Sequence, residues 1–407
     1  MQVGTKLFKA ADWVLFSAAL ALLRFTQFPA IVAERGAPVI SDEVVGRPAG
    51  DRFAIVVKYF GRRWNSGEVA LLQSLRAEGV NTIVVFNRTP TAEEIELARG
   101  HVHRILVRRN VGRDFGAYRS AVLNLQRSDV RPSRLLFFND SVFLLPGRKL
   151  ADMVSRLVHA TWDVVGAFEN HASAHHVGSF AFSVSGAVYD SAEFRRFWRR
   201  YRPYNIRPHA IARGEMGLTR TYRKERFGVD ILYSLDKIGG ELAARTLNDD
   251  LALLRVLPRR PRQRLGDLLR QPFSLAGGLD GDTDLPSRRD GALPTLRDLS
   301  RVRRRPADAG GAVPALVKGA LIDAVLDLVG SGSQAHQAFG LYRRLFGVPV
   351  VKKDLLRHDV YDEHDMTELL DDVEESYRRE IVRELIARQR PISLGWVRNY
   401  LGRRGFV

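Results

Sequence analysis

FAIVVKYFGRRWNSGEVALLQSLRAEGVNTIVVFN, residues 53–87, decides the fold. Its first eight residues are apolar, β-branched or aromatic apart from Lys58, the composition of a strand buried on both faces. Ser66 to Glu78 then places Val69, Leu72 and Leu75 at helical spacing, and Gly79 supplies a helix stop. TIVVFN, residues 82–87, is a second buried strand. Strand, helix and strand in so short a span are the signature of a right-handed βαβ unit.

The alternation continues outward. Thr91 to Arg99 opens as a capped helix, with acidic residues following Thr91. HRILVRR (103–109) is a third strand, about 116–127 a helix, and RLLFFND (134–140) a fourth strand. The expected fold class is therefore α/β, a mostly parallel sheet flanked by helices. Ligands of such sheets bind beyond the carboxyl ends of the strands. Asn87, the segment Asn110 to Asp114, and Asn139 to Ser141 all sit at such ends and should converge on one crevice.

Elsewhere the pattern is looser. Residues 37–51 (APVISDEVVGRPAGD) read as a linker. DVVGAF (163–168) and SFAFSVS (179–185) read as strands, and 191–201 and 214–226 as helices. Residues 255–310 crowd arginine, proline, glycine and aspartate together, as a basic insertion or connector does. A helical region, about 313–404, closes the chain. The expected division is an apolar N-terminal helix and linker (1–50), a main α/β domain (51–250), a basic connector (251–332) and a helical C-terminal region (333–407) that completes the main domain.

Of the 407 residues 45% are hydrophobic and 27% charged, which supports a packed core and argues against global disorder. The formal charge of +17 favours an anionic partner, whether nucleic acid, nucleotide phosphate, acidic membrane or lipid pyrophosphate. The absence of cysteine excludes disulfides, thiolate metal sites and cysteine nucleophiles. Near the N-terminus, Lys6 and Lys9 precede an apolar run from Trp13 to Leu23, interrupted at Arg24 and weaker to Val32. A spanning helix needs about 20 apolar residues, and this run is shorter. Three readings stand: a signal peptide, a helix packed on the protein body, and a helix lying in a membrane interface. The flanking basic residues tilt the choice to the last, and with it to a peripheral position at the cytoplasmic face of a membrane.

Four stretches carry candidate chemistry. In RRNVGRDFGAYR (108–119) a strand hands Asn110, Gly112, Arg113 and Asp114 to the start of a helix, where backbone N–H groups suit phosphate. Arg113 there suits a phosphate and Asp114 a ribose or base; the alternative is that Asp114 caps the helix. In LLFFNDSVFLLPG (135–147), Asn139, Asp140 and Ser141 interrupt an apolar strand end. Asp140 is placed to hold a divalent cation, Mg²⁺ or Mn²⁺, against a diphosphate, the alternative being an Asx-type turn. ENHASAHH (169–176) groups His171, His175 and His176 without the spacing of a zinc site. In GEMGLTRTYRKERFG (214–228), Glu215 is a carboxylate suited to act as general base, with Asp230 a nearby competitor.

Taken together these stretches resemble the rhamnan synthesis protein F family of bacterial polysaccharide glycosyltransferases. NVGRDFGAYR and FFNDSVF are similar to two of that family's blocks. WDVVGAF followed by HHVGSFAFSVSGAVYDSAEFRRFW is similar to the next, and GEMGLTR to another. HQAFGLYRRLFGVPVVKKDLLRHD (336–359) is similar to a C-terminal block. The resemblance implies a GT-A-type, Rossmann-like domain and a nucleoside-diphosphate-sugar donor. It further implies transfer of rhamnose or a similar hexose to a growing cell-surface polysaccharide or lipid-linked glycan. By position Asp140 takes the metal role, Asn139 and Ser141 are its neighbours, and Asn110, Gly112, Arg113 and Asp114 face the nucleotide. Glu215 becomes the base of a direct, inverting displacement, and Lys352 and Lys353 are placed to meet phosphate or solvent. In GT-A-type transferases an Asp-x-Asp or related strand end holds the metal; this sequence lacks the second aspartate there, which weakens a firm metal requirement. Two other classes compete: a non-catalytic glycosyltransferase-like subunit, and a basic nucleic-acid-binding protein. The scattered basic residues and lack of an aromatic-plus-basic signature speak against nucleic acid.

Overall fold

The computed structural model describes residues 2–172, 174–246, 253–259, 261, 263, 312–330, 332–356 and 360–388. The described residues divide into two compact units, one built from residues 2–168 and 174–232, the other from 169–172 and those from 233 to 388.

The first unit opens with helix α1 (Gln2–Ala33), a single continuous helix that carries Pro29. Its segment Asp12–Ala33 has a mean hydropathy of 1.6 and is long and apolar enough to cross a membrane by length and composition. This corrects the expectation of a run too short to span: the helix carries the apolar segment through Arg24, whose guanidinium turns to the protein and donates to His209 Nδ1 at 3.2 Å. A second correction concerns the expected linker at 37–51. It contains strand β1 (Ser41–Val44), which pairs antiparallel with a strand 60 residues on. Nothing in the polar SDEV sequence favours a strand; pairing with a partner edge creates it.

Strand β2 (Arg52–Lys58), helix α2 (Ser66–Ala77), strand β3 (Asn81–Phe86), helix α3 (Ala92–Arg99) and strand β4 (Arg104–Val107) follow the expected alternation. Capping boxes start both helices, Asn65 with Glu68 and Thr91 with Glu94, so orphan N–H groups at each first turn are satisfied reciprocally. Helix α4 (Arg113–Arg127), strand β5 (Arg134–Asn139) and strand β6 (Val142–Leu144) come next. Helix α5 (Arg148–Val158) buries Leu150, Met153, Val154 and Leu157, the apolar stripe of a surface helix. Strands β7 (Val164–Asn170), β8 (His176–Val177) and β9 (Ala181–Ser185) lead to helices α6 (Gly186–Asp190), α7 (Ala192–Arg200) and α8 (Arg207–His209). A π-helical turn, Ala210–Glu215, runs directly into α9 (Met216–Lys224), before strand β10 (Val229–Tyr233).

The sheet order is β1-β4-β3-β2-β5-β9-β7-β10, with β8 attached to β7. The run β4-β3-β2-β5 is parallel, and β1 and β9 join its two sides antiparallel. This is an α/β architecture with a mixed sheet, parallel at its centre and flanked by helices. β2, β3 and β5 are buried on both faces, as central parallel strands are. Packed on them, Phe137 stacks on Phe182 with ring centroids 4.4 Å apart, and Trp198 stacks on Phe137 at 6.1 Å. The chain order reverses between β2 and β5: from β2 it winds to β3 and β4 on one side, then returns to place β5 on the other. Such a reversal leaves a crevice at the carboxyl ends of the two strands.

The second unit carries helix α10 (Leu235–Ala244), helices over Ala312–Gly330, Phe339–Phe346, Glu363–Leu369 and Glu375–Ala387, and a short strand, Val350–Lys352. Its core gathers Tyr342, Val351, Leu355, Met366 and Ile381, all fully buried. Most of the basic connector expected at 251–332 (residues 264–311) lies outside the described residues, as do residues 389–407 of the helical C-terminal region.

Candidate functional site

The strand-end residues meet where the winding reverses. Asp140 immediately follows β5 and is buried. Its Oδ2 accepts the backbone N–H groups of Tyr59 and Phe60, both at 2.6 Å, which fixes the chain leaving β2 against the chain leaving β5. Its Oδ1 is buried with no hydrogen-bond partner. An unsatisfied carboxylate oxygen at such depth costs free energy that a cation would recover. Asn139 is occupied differently. Its Oδ1 accepts from the backbone N–H (3.1 Å) and hydroxyl (2.6 Å) of Ser141, the Asx-type turn weighed from the sequence. The turn thus shapes the strand end, and Asp140 supplies the oxygen available to a metal.

From Asn139 a polar chain runs to Glu215. Asn139 Nδ2 donates to the carbonyl of Ser179 at 3.4 Å, and the buried Tyr118 hydroxyl donates to the same carbonyl at 2.8 Å. The Ser179 hydroxyl donates to Glu215 Oε1 at 2.5 Å, and His176 Nε2 lies 3.1 Å from Glu215 Oε2. Glu215 is both the last residue of the π turn and the N-cap residue of α9. Single π turns often mark functional positions, because the extra residue redirects side chains. The His176 ring is buried, which disfavours its charged form, yet the hydrogen bond and negative charge of Glu215 outweigh burial and raise its pKa above the ordinary value.

Asp114 occupies the first turn of α4, one turn before Tyr118 and so on the same helix face. The phenol of Tyr118 is pushed well above its usual pKa first by burial, then by the charge of Asp114, with smaller contributions from Asp140 and Glu215. One buried ring therefore feels all three carboxylates. Asp114 does not cap its helix: Gly112 is the N-cap residue, and no side chain of its own bonds back.

The loop before α4 departs from the expected phosphate cradle. Asn205 Oδ1 accepts the N–H of Gly112 at 2.6 Å and that of Arg113 at 3.2 Å, and Asn205 Nδ2 donates to the carbonyl of Asn110 at 2.9 Å. Two of the amides assigned to phosphate are thereby taken by a side chain 93 residues away, and the exposed Arg113 guanidinium remains as the cationic group of this turn. Gly112 is required here: its φ is +85° and an added Cβ would lie 2.1 Å from Pro203 Cβ.

Sequence reasoning missed Asn205, Ser179 and Arg88. Arg88 follows β3, forms a doubly hydrogen-bonded pair with the buried Glu94, and is also influenced by the charge of Asp140. Nothing local marks Ser179 or Asn205, whose roles come from contacts distant in sequence. The other histidines have separate partners: His175 Nδ1 accepts from Arg223 at 2.7 Å, and His171 lies 3.2 Å from Glu169. Lys353 is buried, with its ammonium 3.8 Å from Glu384, so it faces a carboxylate within its own unit.

Comparison with known proteins adds three findings. The family model of rhamnan synthesis protein F matches residues 82–250. The uncharacterized protein y4gN of Sinorhizobium fredii (strain NBRC 101917 / NGR234) is 30% identical over 196 residues, 47% of this chain and 51% of that protein. The chain thus spans about half the length of the curated relative it matches. A solved mannosyltransferase, PcManGT from Pyrobaculum calidifontis in complex with GDP-Man and Mn²⁺, aligns over 93% of this chain and 96% of its own. Its identity is 10% and the TM-score 0.25, a score that establishes no shared fold. Over residues 82–250 the sequence blocks and the matched family model point to the same similarity, to rhamnan synthesis protein F.

Proposed function

We propose that the protein is a glycosyltransferase that moves a hexose, rhamnose or a similar sugar, from a nucleoside-diphosphate donor to a polysaccharide or lipid-linked glycan. The observation that carries this reading is Asp140: a buried carboxylate at the crevice between β2 and β5 with one oxygen unpartnered. A divalent cation held by that oxygen would offset the charge of the donor's diphosphate as it departs. Arg113 and Arg88 are the cationic side chains suited to the phosphates, and Asp114 to the ribose or base. Glu215 accepts the proton of the acceptor hydroxyl while the hydroxyl oxygen bonds to the anomeric carbon and the carbon–oxygen bond to the diphosphate breaks. Attack opposite the leaving group inverts the anomeric configuration. Ser179 and His176 orient the Glu215 carboxylate for this step, and release of the His176 proton leaves it more basic.

The reading also places the protein at the inner surface of a cell membrane. In its support, Trp13, Leu22 and Phe25 of α1 are 68%, 63% and 79% exposed, and large apolar side chains exposed together along one helix mark a contact surface.

The test is transfer from a panel of sugar nucleotides with Mn²⁺, comparing wild type with Glu215→Gln. Turnover with one donor, reduced about 10²-fold or more in the variant, supports the assignment. Donor binding without turnover in the wild type would instead favour a non-catalytic subunit.

A further inference from the structure

Helix α9 and the π turn before it have two chemically different faces. Leu218, Thr219 and Tyr222 lie with Glu215 on the side of the candidate site. Arg213, Gly217, Arg220 and Thr221 line a cavity of about 480 Å³ on another side. Arg24, Arg196, Arg200 and Arg202 also line this cavity, giving it six arginines. Its one carboxylate, Glu193, is already bound to Lys224 at 2.9 Å and Arg196 at 3.2 Å. Among the described residues no carboxylate pairs with Arg200, Arg202, Arg213 or Arg220. The wall between them is aromatic, formed by Phe197, Tyr201 and Tyr204. Like charges are not gathered around a concave, partly apolar surface for stability; they repel unless an anion joins them.

The cavity meets α1. Leu20, Leu23 and Ile31 of that helix pack on Tyr204 and Ile206, which fixes the helix on the protein body. Arg24 then reaches into the cavity, while its neighbour Phe25 stands in solvent, as do Leu22 and Phe28. A single helix therefore offers an arginine to the cavity and an apolar surface beside it. The positive potential is felt by His209 on the cavity wall: burial first, then the charges of Arg24 and Arg213, depress its pKa to about 4.

We propose that this cavity binds the phosphate or diphosphate head group of a membrane lipid whose hydrocarbon chain lies along the exposed face of α1. Arginine forks match phosphate oxygens bidentately, and the apolar face beside them matches the chain, so the site recognises an amphiphile rather than a free anion. None of its lining residues is assigned to sugar transfer, and the proposal requires no such activity, so it stands or falls on lipid binding alone.

The experiment is sedimentation of the full chain with phosphatidylcholine vesicles, with and without phosphatidic acid, and with and without added polyprenyl phosphate. Wild type is expected to bind the phosphate-bearing vesicles. Arg200→Glu/Arg213→Glu, at exposed positions, should bind them at least about tenfold more weakly, since each basic residue near an anionic surface contributes about 1 kcal/mol. A control of equal charge change, Arg148→Glu/Lys149→Glu, should bind as wild type does. Equal loss in both double variants would mean that net charge rather than the cavity drives binding, and would overturn the site. Full binding by Arg200→Glu/Arg213→Glu would overturn it too. Phe25→Asp separates lipid from free anion: the proposal requires that it weaken vesicle binding. If it does not, and inorganic pyrophosphate competes fully with vesicles, the ligand is a soluble phosphate and the lipid assignment is wrong.

Discussion

Asp140 Oδ2 accepts the backbone N–H of Tyr59 at 2.6 Å, tying the carboxyl end of β5 to that of β2 at the point where the sheet reverses its winding. The same carboxylate thus has a structural oxygen and an unpartnered one. The two are separable. Asp140→Asn retains one carbonyl oxygen for the Tyr59 and Phe60 amides but presents no anionic oxygen to a cation. The expected result is a folded protein, destabilised by about 1–3 kcal/mol in urea denaturation, with no metal-dependent ligand binding. Asp140→Ala strands both amides and should cost more. If Asp140→Asn keeps full metal dependence, the cation is held elsewhere.

The pair His176–Glu215 sets a pH dependence. The folded pKa of His176 is raised above 6.5, so the folded state holds this proton more tightly than the unfolded chain. Its contribution to stability is complete below about pH 6.5, the unfolded value, and is lost as pH rises through the folded value. Denaturation of wild type and His176→Gln at a series of pH values checks this: the stability difference between them should shrink above neutrality. Turnover should rise over the same interval, because Glu215 loses its cationic partner. A difference that grows with pH would contradict the pairing.

Gly112 is the most sensitive position of the loop before α4. Gly112→Ala combines a left-handed backbone with a Cβ 2.1 Å from Pro203. Strain and overpacking together should cost about 3 kcal/mol. Gly79→Ala, at φ +67° but with open space around it, should cost only about 1 kcal/mol. Thermal denaturation distinguishes them, and equal losses would mean that Pro203 yields easily.

Arg108 and Glu34, both 1% exposed, form a buried ion pair at 3.1 Å that anchors the chain just after α1. Arg108 also donates to Asn87 at the end of β3, so the pair connects the N-terminal region to the crevice. Glu34→Ala leaves a buried guanidinium without its anion and should destabilise by about 3–5 kcal/mol. Glu34→Leu with Arg108→Met should restore part of that loss. Failure of the double variant to recover any stability would assign the cost to packing rather than charge.

How far the sequence revealed this arrangement depended on where each signal lay. The βαβ elements were legible because β2, β3 and β5 are buried on both faces and helices α2 and α3 start with capping residues. β1 was not, because SDEV becomes a strand only through its partner β4. Asp140 was legible as a polar residue closing an apolar strand, and the Asx-type turn weighed against it is formed by its neighbours Asn139 and Ser141. The phosphate cradle at Gly112 was overestimated because Asn205, which takes its amides, is 93 residues distant in sequence. Glu215 was legible only as one carboxylate among several. Its distinction comes from His176 in β8 and Ser179 in the turn after it, which the fold brings to it. Lys58 illustrates the remaining limit: within an apolar strand it looked like an interruption, yet it is buried with both oxygens of Glu68 at 2.7 and 2.8 Å.

The measurement that bears most directly on the candidate site is calorimetric titration of the wild-type chain with nucleoside-diphosphate sugars, with and without Mn²⁺, repeated on Asp140→Asn. Expected is saturable binding of at least one donor, strengthened by Mn²⁺ in the wild type and insensitive to it in the variant. Binding that is unchanged by Mn²⁺ and by the substitution, or no binding of any donor to a folded wild-type chain, would contradict a sugar-nucleotide site at the ends of β2 and β5.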